Sequence, residues 1–134
     1  MEIEKLNWNQ TIDIRHRVLW TDEDPSYCEV TGDESALHFG VKYNNVRVCV
    51  ASIYVHDNSV RLRKFATLAE CQGKGVGTFM LNYLIGELRS LKCNYFWFDA
   101  RSSAVNFYKR FGFEQVGEMF FKNGVAYFKM QMHF

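Results

Sequence analysis

Residues 72–77 read Gln72-Gly73-Lys74-Gly75-Val76-Gly77, and from there Val76, Phe79, Met80, Tyr83, Leu84, Leu88 and Leu91 recur at helical spacing. Glycines at the mouth of a helix leave backbone amides bare to a ligand, and the positive end of the helix favours an anion. The stretch predicts a phosphate-holding loop followed by a helix to about Leu91. It is not a Walker loop, because Lys74 stands between Gly73 and Gly75 and no Ser or Thr follows it. The dinucleotide fingerprint fails as well, since Thr78 occupies the place of its third glycine and the loop lies mid-chain.

Working outward, three extended runs precede the loop, at residues 37–43, 46–56 and 60–68, joined by Asn44-Asn45 and by Asp57-Asn58-Ser59. They predict an antiparallel meander. Ahead of them, residues 11–19 read as a helix with Ile12, Val18 and Leu19 apolar, and residues 21–33 are polar and turn-like. Behind the loop helix, residues 94–99 form an aromatic run expected of a buried strand. Strand, helix and strand imply a right-handed crossover, so residues 94–99 should lie parallel to 60–68. A short helix over 103–111 is stopped by Gly112, and a last hairpin turns at Asn123-Gly124. The expected fold is α/β, with a mixed, mainly antiparallel sheet of six or seven strands, a central β-α-β crossover and flanking helices.

Gln72 to Gly77 follows Gln-x-x-Gly-x-Gly, and this segment resembles the Arg/Gln-x-x-Gly-x-Gly/Ala motif of the GNAT superfamily of N-acetyltransferases. A second block, Ala100-Arg101-Ser102-Ser103-Ala104-Val105-Asn106-Phe107-Tyr108-Lys109-Arg110-Phe111-Gly112-Phe113, is similar to that superfamily's Asn-x-x-Ala-x-x-Phe/Leu-Tyr-x-x-x-Gly-Phe block. With the strands beside them, the two blocks span residues 60–113. The phrases around His16 and Trp20, and around His38, look like those of uncharacterised small members, which names no reaction.

The resemblance implies a GNAT-like fold and an N-acyltransferase using acetyl-CoA, in which a primary amine attacks the thioester directly. It implies that Gln72, Gly73, Lys74, Gly75, Val76, Gly77 and Thr78 hold the coenzyme A pyrophosphate through backbone amides. It also implies that the strand ending at Phe65, Ala66 and Thr67 pairs with the pantetheine arm, so that the two parallel strands splay there and leave the acyl site between them. Tyr108 occupies the position that serves the departing thiolate. With a phenol near pKa 10 and an alkyl thiol near 8.5, full proton transfer is uphill by about 2 kcal/mol, so donating a hydrogen bond is its main expected contribution. The competing assignment for Tyr108 is a core stripe with Ala104, Phe107 and Phe111.

Arg101 departs from the pattern, which commonly has Asn at this place to contact the cofactor; a guanidinium there can instead reach a phosphate or an acidic acceptor. No general base identifies itself, and Glu70, Asp99 and His38 are the candidate relays. A lysine-like acceptor is only about 1 part in 2,500 neutral at pH 7, which tilts the expectation toward an amine of lower pKa or a water-relayed base. Arg61 and Arg63, two apart on one strand face, are candidates to select an acidic substrate. Cys71 borders the loop, where a helix start can activate a thiol, although direct transfer needs no covalent intermediate.

At 134 residues with 48% hydrophobic content, the chain suffices for one compact domain over residues 1–134. The formal charge of +1 shows no basic stripe for nucleic acid, and no apolar run approaches a membrane span. Cys28, Cys49, Cys71 and Cys93 match no metal spacing, so no metal is expected and the thiols read as reduced, in a cytoplasmic protein. The expected partner is a small-molecule or peptide amine acceptor, with a homodimer allowed. The alternative is a non-catalytic acyl-CoA-binding or regulatory module, which the missing base and Arg101 favour and Tyr108 opposes.

Overall fold

The computed structural model describes residues 1–134. Seven strands form one sheet in the order β1-β2-β3-β4-β5-β7-β6: β1 Glu2–Leu6, β2 Leu37–Tyr43, β3 Val46–His56, β4 Ser59–Thr67, β5 Tyr95–Arg101, β6 Glu114–Lys122 and β7 Val125–His133. The helices are α1 Ile12–Leu19, α2 Val76–Ser90 and α3 Val105–Lys109. Only β4 and β5 run parallel, and every other neighbouring pair is antiparallel. The meander, the crossover and the final hairpin thus stand as the sequence predicts. β1 is an addition, an edge strand seen as Glu2–Leu6 against β2.

Turn chemistry fixes the hairpins. Asn44 and Asn45 both take left-handed φ, 51° and 62°, and Asn123 and Gly124 take 49° and 79°, the twist that two-residue hairpin turns require. Gly112, at φ 96°, ends the segment carrying α3. That helix is shorter than its spacing predicts, because Ser102–Ala104 forms a 3-10 turn ahead of it.

Alternation along the strands puts helices on both faces. Phe39 on β2 meets Tyr83 of α2, with ring centroids 5.5 Å apart, so odd residues of β2 and their partners such as Ala51 face α2. His38 and Ser52, also paired across β2 and β3, face α1. A continuous core of Val50, Ile53, Val60, Met80, Leu84, Leu88, Phe96 and Met130, among others, fills the interior. β5 differs from the buried strand expected of it. Phe96, Phe98 and Ala100 are buried, whereas Trp97 and Asp99 lie on a half-exposed face.

The polar stretch 21–33 is pinned by a buried ionic cluster. Arg15, fully buried on α1, donates to Asp33 through both Nη atoms at 2.8 and 3.0 Å, to Cys28 O at 3.0 Å and to Ser52 Oγ at 2.9 Å. Tyr54 and the amide of Val30 also donate to the Asp33 carboxylate. Burial alone would raise the Asp33 pKa, but these donors outweigh it and hold it below the usual carboxylate value. Breaking such a pair leaves a buried guanidinium uncompensated, so Asp33→Asn is expected to cost about 3 to 5 kcal/mol in urea unfolding at pH 7. The folded Asp33 titrates lower than the unfolded one, so its contribution is full above about pH 4 and fades as acid protonates it. The mutant deficit should shrink there accordingly.

Candidate active site

The glycine loop grows out of β4. Leu68 donates to Val48 O at 2.8 Å, residues Ala69–Cys71 make one 3-10 turn, and Gln72 Nε2 reaches back to Thr67 O at 3.0 Å. Gly73 and Gly75 then take left-handed φ of 75° and 83°, and a Cβ on either would meet nothing within 4 Å. These two glycines lie outside α2 and answer a backbone demand beside open space. Gly77 is helical, and a Cβ there would touch the ring tips of Phe65 and Phe107 at 3.5 and 3.8 Å, so its absence keeps the first turn bare between two aromatics.

Phe79 donates to Gly75 O at 3.0 Å as the first α-helical bond. The amides of Val76, Gly77 and Thr78 therefore face out of the helix start, as the first amides of any α-helix do. Val76 keeps its side chain buried at 1% exposure, so its amide is what it can offer a ligand. Lys74 and Thr78 are exposed at the rim. Six successive residues, Gly73 to Thr78, thus border open space at a helix start, where an anion is favoured.

The parallel strands part, as the resemblance implies. β4 and β5 pair at Ser59↔Tyr95, Val60↔Phe96 and Arg61↔Trp97, and the pairing goes no further. A bulge turns β4 at this level: Val50 faces Ala66 and Ser52 faces Arg63, so Lys64 and Phe65 stand opposite Ala51 alone. Lys64 sits in the bulge at a left-handed φ of 55°. Beyond it, Phe65, Ala66 and Thr67 present a strand edge that β5 does not use.

A cleft of about 330 Å³ fills the gap, lined by Phe65, Phe98, Ala100, Ala104 and Tyr108 together with Leu19, Trp20 and Tyr127. It continues into a groove of about 460 Å³ toward Tyr27, Lys122 and Asn123. Tyr108 packs against Phe98 and Phe107, with ring centroids 4.5 and 5.2 Å away, and its hydroxyl has no partner within the chain. The fully buried residue of α3 is Val105, while Tyr108 is half-buried and borders the cleft. Burial, with a smaller contribution from Cys49, pushes the Tyr108 phenol up to about 12. It therefore stays protonated near neutrality, and full transfer to a thiolate is uphill by on the order of 5 kcal/mol. Hydrogen-bond donation is the chemistry left to it.

The candidate relays fare differently. His38 is buried behind α1, with Nδ1 2.6 Å from Ser52 Oγ and Nε2 2.8 Å from Asp33 O, and does not line the cleft. Glu70 is exposed, 3.9 Å from Arg17 and outside the cleft. Asp99 does line it, bonded by Arg61 at 3.1 Å and Lys122 at 2.9 Å. Arg101 is exposed at the end of β5 and shares the cleft wall with Lys64 and Tyr127. Cys71 is half-buried against the core, and none of the four cysteines is paired. No group of three or more His, Cys, Asp or Glu side chains is placed to hold a metal ion, and no helix is long and apolar enough to cross a membrane.

Lys64 is the cleft residue that sequence reading missed. Burial first, then Arg63, Arg15, Lys122 and Arg61, push its ammonium down to about 8. A single lysine inside a strand gives no signal of this, because the bulge, the burial and the approach of Arg15 and Lys122 come from distant pairing, although Arg61 and Arg63 stand beside it in the sequence.

A mixed seven-stranded sheet opens between its parallel strands beside a glycine loop, and the sequence that builds it carries the domain of the N-acetyltransferase class. The sequence pattern described as "Acetyltransferase (GNAT) domain" matches residues 22–134, and the chain belongs to this family of N-acetyltransferases. It is similar to the uncharacterised N-acetyltransferase YitI of Bacillus subtilis (strain 168), with 25% identity over 135 residues, covering 94% of this chain and 91% of that one. In fold it matches Escherichia coli ElaA at a TM-score of 0.81, with 19% identity and 97% of each chain covered. A GNAT family acetyltransferase from Elizabethkingia anophelis, solved with acetyl-CoA bound, matches at a TM-score of 0.77, with 15% identity over 99% of this chain and 97% of that one.

Proposed function

We propose that residues 1–134 act as one acetyl-CoA-dependent N-acetyltransferase domain that moves the acetyl group to a primary amine by direct attack on the thioester. The observation that carries this reading is the splayed edge of β4, which leads from the cleft bordered by Phe65 and Tyr108 to the glycine loop, where Gly77 lies beside the Phe65 ring. The amides of residues 73 to 78 hold the pyrophosphate, and Phe65, Ala66 and Thr67 receive the pantetheine amides as an added strand would. Thioester chemistry supplies the activated acetyl group. The amine nitrogen forms the new bond to the carbonyl carbon as the carbon–sulfur bond breaks. Tyr108 donates its hydrogen bond to the sulfur as charge develops there, and the amine's surplus proton leaves to solvent.

Arg101 lines the same cleft as Lys64, so in this reading its guanidinium serves the acceptor or the cofactor. The acceptor is a small-molecule or peptide amine. Release of free thiol from acetyl-CoA, followed in the presence and absence of amines, tests the reading. Amine-dependent release supports it, whereas tight acetyl-CoA binding with no release across a broad panel would leave a binding module instead.

A further inference from the structure

The acceptor half of the cleft is far more cationic than the chain. The protein carries a formal net charge of +1, yet Arg61, Arg63, Lys64, Arg101 and Lys122 line this groove and Asp99 is its one carboxylate. Asp99 already serves Arg61 at 3.1 Å and Lys122 at 2.9 Å. Arg61 is further committed to Trp97, its guanidinium lying 4.5 Å from the ring centroid, and its buried Nε has no acceptor. Arg63, Lys64 and Arg101 have no ion-pair partner. Arg63 lies 5.7 Å from the Tyr54 ring centroid and Lys64 Nζ lies 4.3 Å from that of Trp20, so aromatic faces alone oppose their charge.

Cations set between low-dielectric walls focus a positive field, and that field draws an anion. A guanidinium adds geometry, since its fork of N–H groups matches a carboxylate or a phosphate. Solvated surface cations would be the ordinary alternative for such residues. Lys64 argues against it, because it is half-buried in the β4 bulge against the Trp20 ring, and burial first, then the neighbouring cations, lower its ammonium to about 8.

We propose that the acceptor is a small primary amine carrying an anionic group, a carboxylate or a phosphate, which Arg63, Lys64 and Arg101 hold in the cleft that Tyr108 borders. The inference rests on the transfer reading above and names its substrate class. It also accounts for the missing base. Burial first, and then the cationic wall, lower the Lys64 ammonium, and both act in the same sense on an ammonium bound beside it, so the acceptor loses its proton to solvent more readily.

Two matched pairs test the assignment: β-alanine against β-alaninamide for the carboxylate, and O-phosphoethanolamine against ethanolamine for the phosphate. Each amine is titrated by calorimetry into the CoA-bound protein and assayed for thiol release from acetyl-CoA. The anionic member of at least one pair is expected to bind and react about 10- to 100-fold better, the difference that charge-assisted hydrogen bonds confer. The better pair identifies which anion the site takes. Arg63→Gln and Arg101→Gln should each shrink the anionic-to-neutral ratio by about tenfold or more, with thermal midpoints showing that both variants remain folded. Equal use of both members, or a ratio untouched by both substitutions, overturns the anionic assignment and leaves the transfer reading standing. Binding of neither pair overturns it too. Selective binding of an anionic amine without any thiol release would instead overturn the transfer reading and keep the anion site.

Discussion

Gly75→Asp is expected to weaken acetyl-CoA binding by at least about a hundredfold. Gly75 caps α2 at a left-handed φ of 83°, with open space where a Cβ would stand, so a carboxylate there enters the region the loop amides surround. At ~6 Å and an effective dielectric of ~20, one carboxylate repels one phosphate charge by about 3 kcal/mol, or roughly two orders of magnitude in affinity. The left-handed backbone costs any side chain roughly 1 to 2 kcal/mol, which Asp and Asn tolerate best. Gly75→Asn therefore isolates the charge: it carries the same bulk and strain and should retain most of the affinity. Calorimetry on both variants, with thermal unfolding as the folding control, decides between them. Equal affinities for Asp, Asn and wild type would make the loop a structural turn.

Tyr108→Phe is expected to lower kcat by roughly 10² to 10³ while acetyl-CoA affinity stays within a few-fold, the range seen when one donor to a developing charge is removed. The ring packing on Phe98 and Phe107 is preserved in the variant, so the core should hold. A phenol pushed up to about 12 gives the effect a further mark. The pH profile of the wild type should show no loss of rate attributable to Tyr108 ionisation up to about pH 10, because its proton stays on throughout that range. A drop of less than about threefold would return Tyr108 to the core. Parallel losses in binding and turnover would make it a positioning residue.

What the sequence revealed was local. Gly73, Gly75, Asn44-Asn45 and Asn123-Gly124 each sit where the backbone needs a left-handed conformation, and such needs are written in the residues that meet them. The crossover was equally legible, because a strand, a helix and a parallel strand allow one handedness. β1 was not, since the short charged run Glu2–Leu6 gains its conformation from pairing with β2. The buried cluster of Arg15, Asp33, Ser52 and His38 joins residues up to 37 positions apart, and His38 therefore read as a relay until its partners were visible. Lys64 shows the same limit at the site itself. Its displaced pKa comes from burial and from cations on α1, β4 and the hairpin that ends β6. The pattern Arg61-x-Arg63 suggested an acidic substrate, but the two residues divide the task, Arg61 holding Asp99 while Arg63 stays unpaired.

The most direct test follows an isotopic label. Protein incubated with acetyl-labelled acetyl-CoA and the best anionic amine from the panel should transfer the label to the amine nitrogen one for one with the thiol released, leaving no label on the protein at any time. The rate should fall at least about a hundredfold in both Gly75→Asp and Tyr108→Phe. Label that stays on coenzyme A while the cofactor binds tightly, or that accumulates on the protein at Cys71 before reaching the amine, would contradict direct transfer in this cleft.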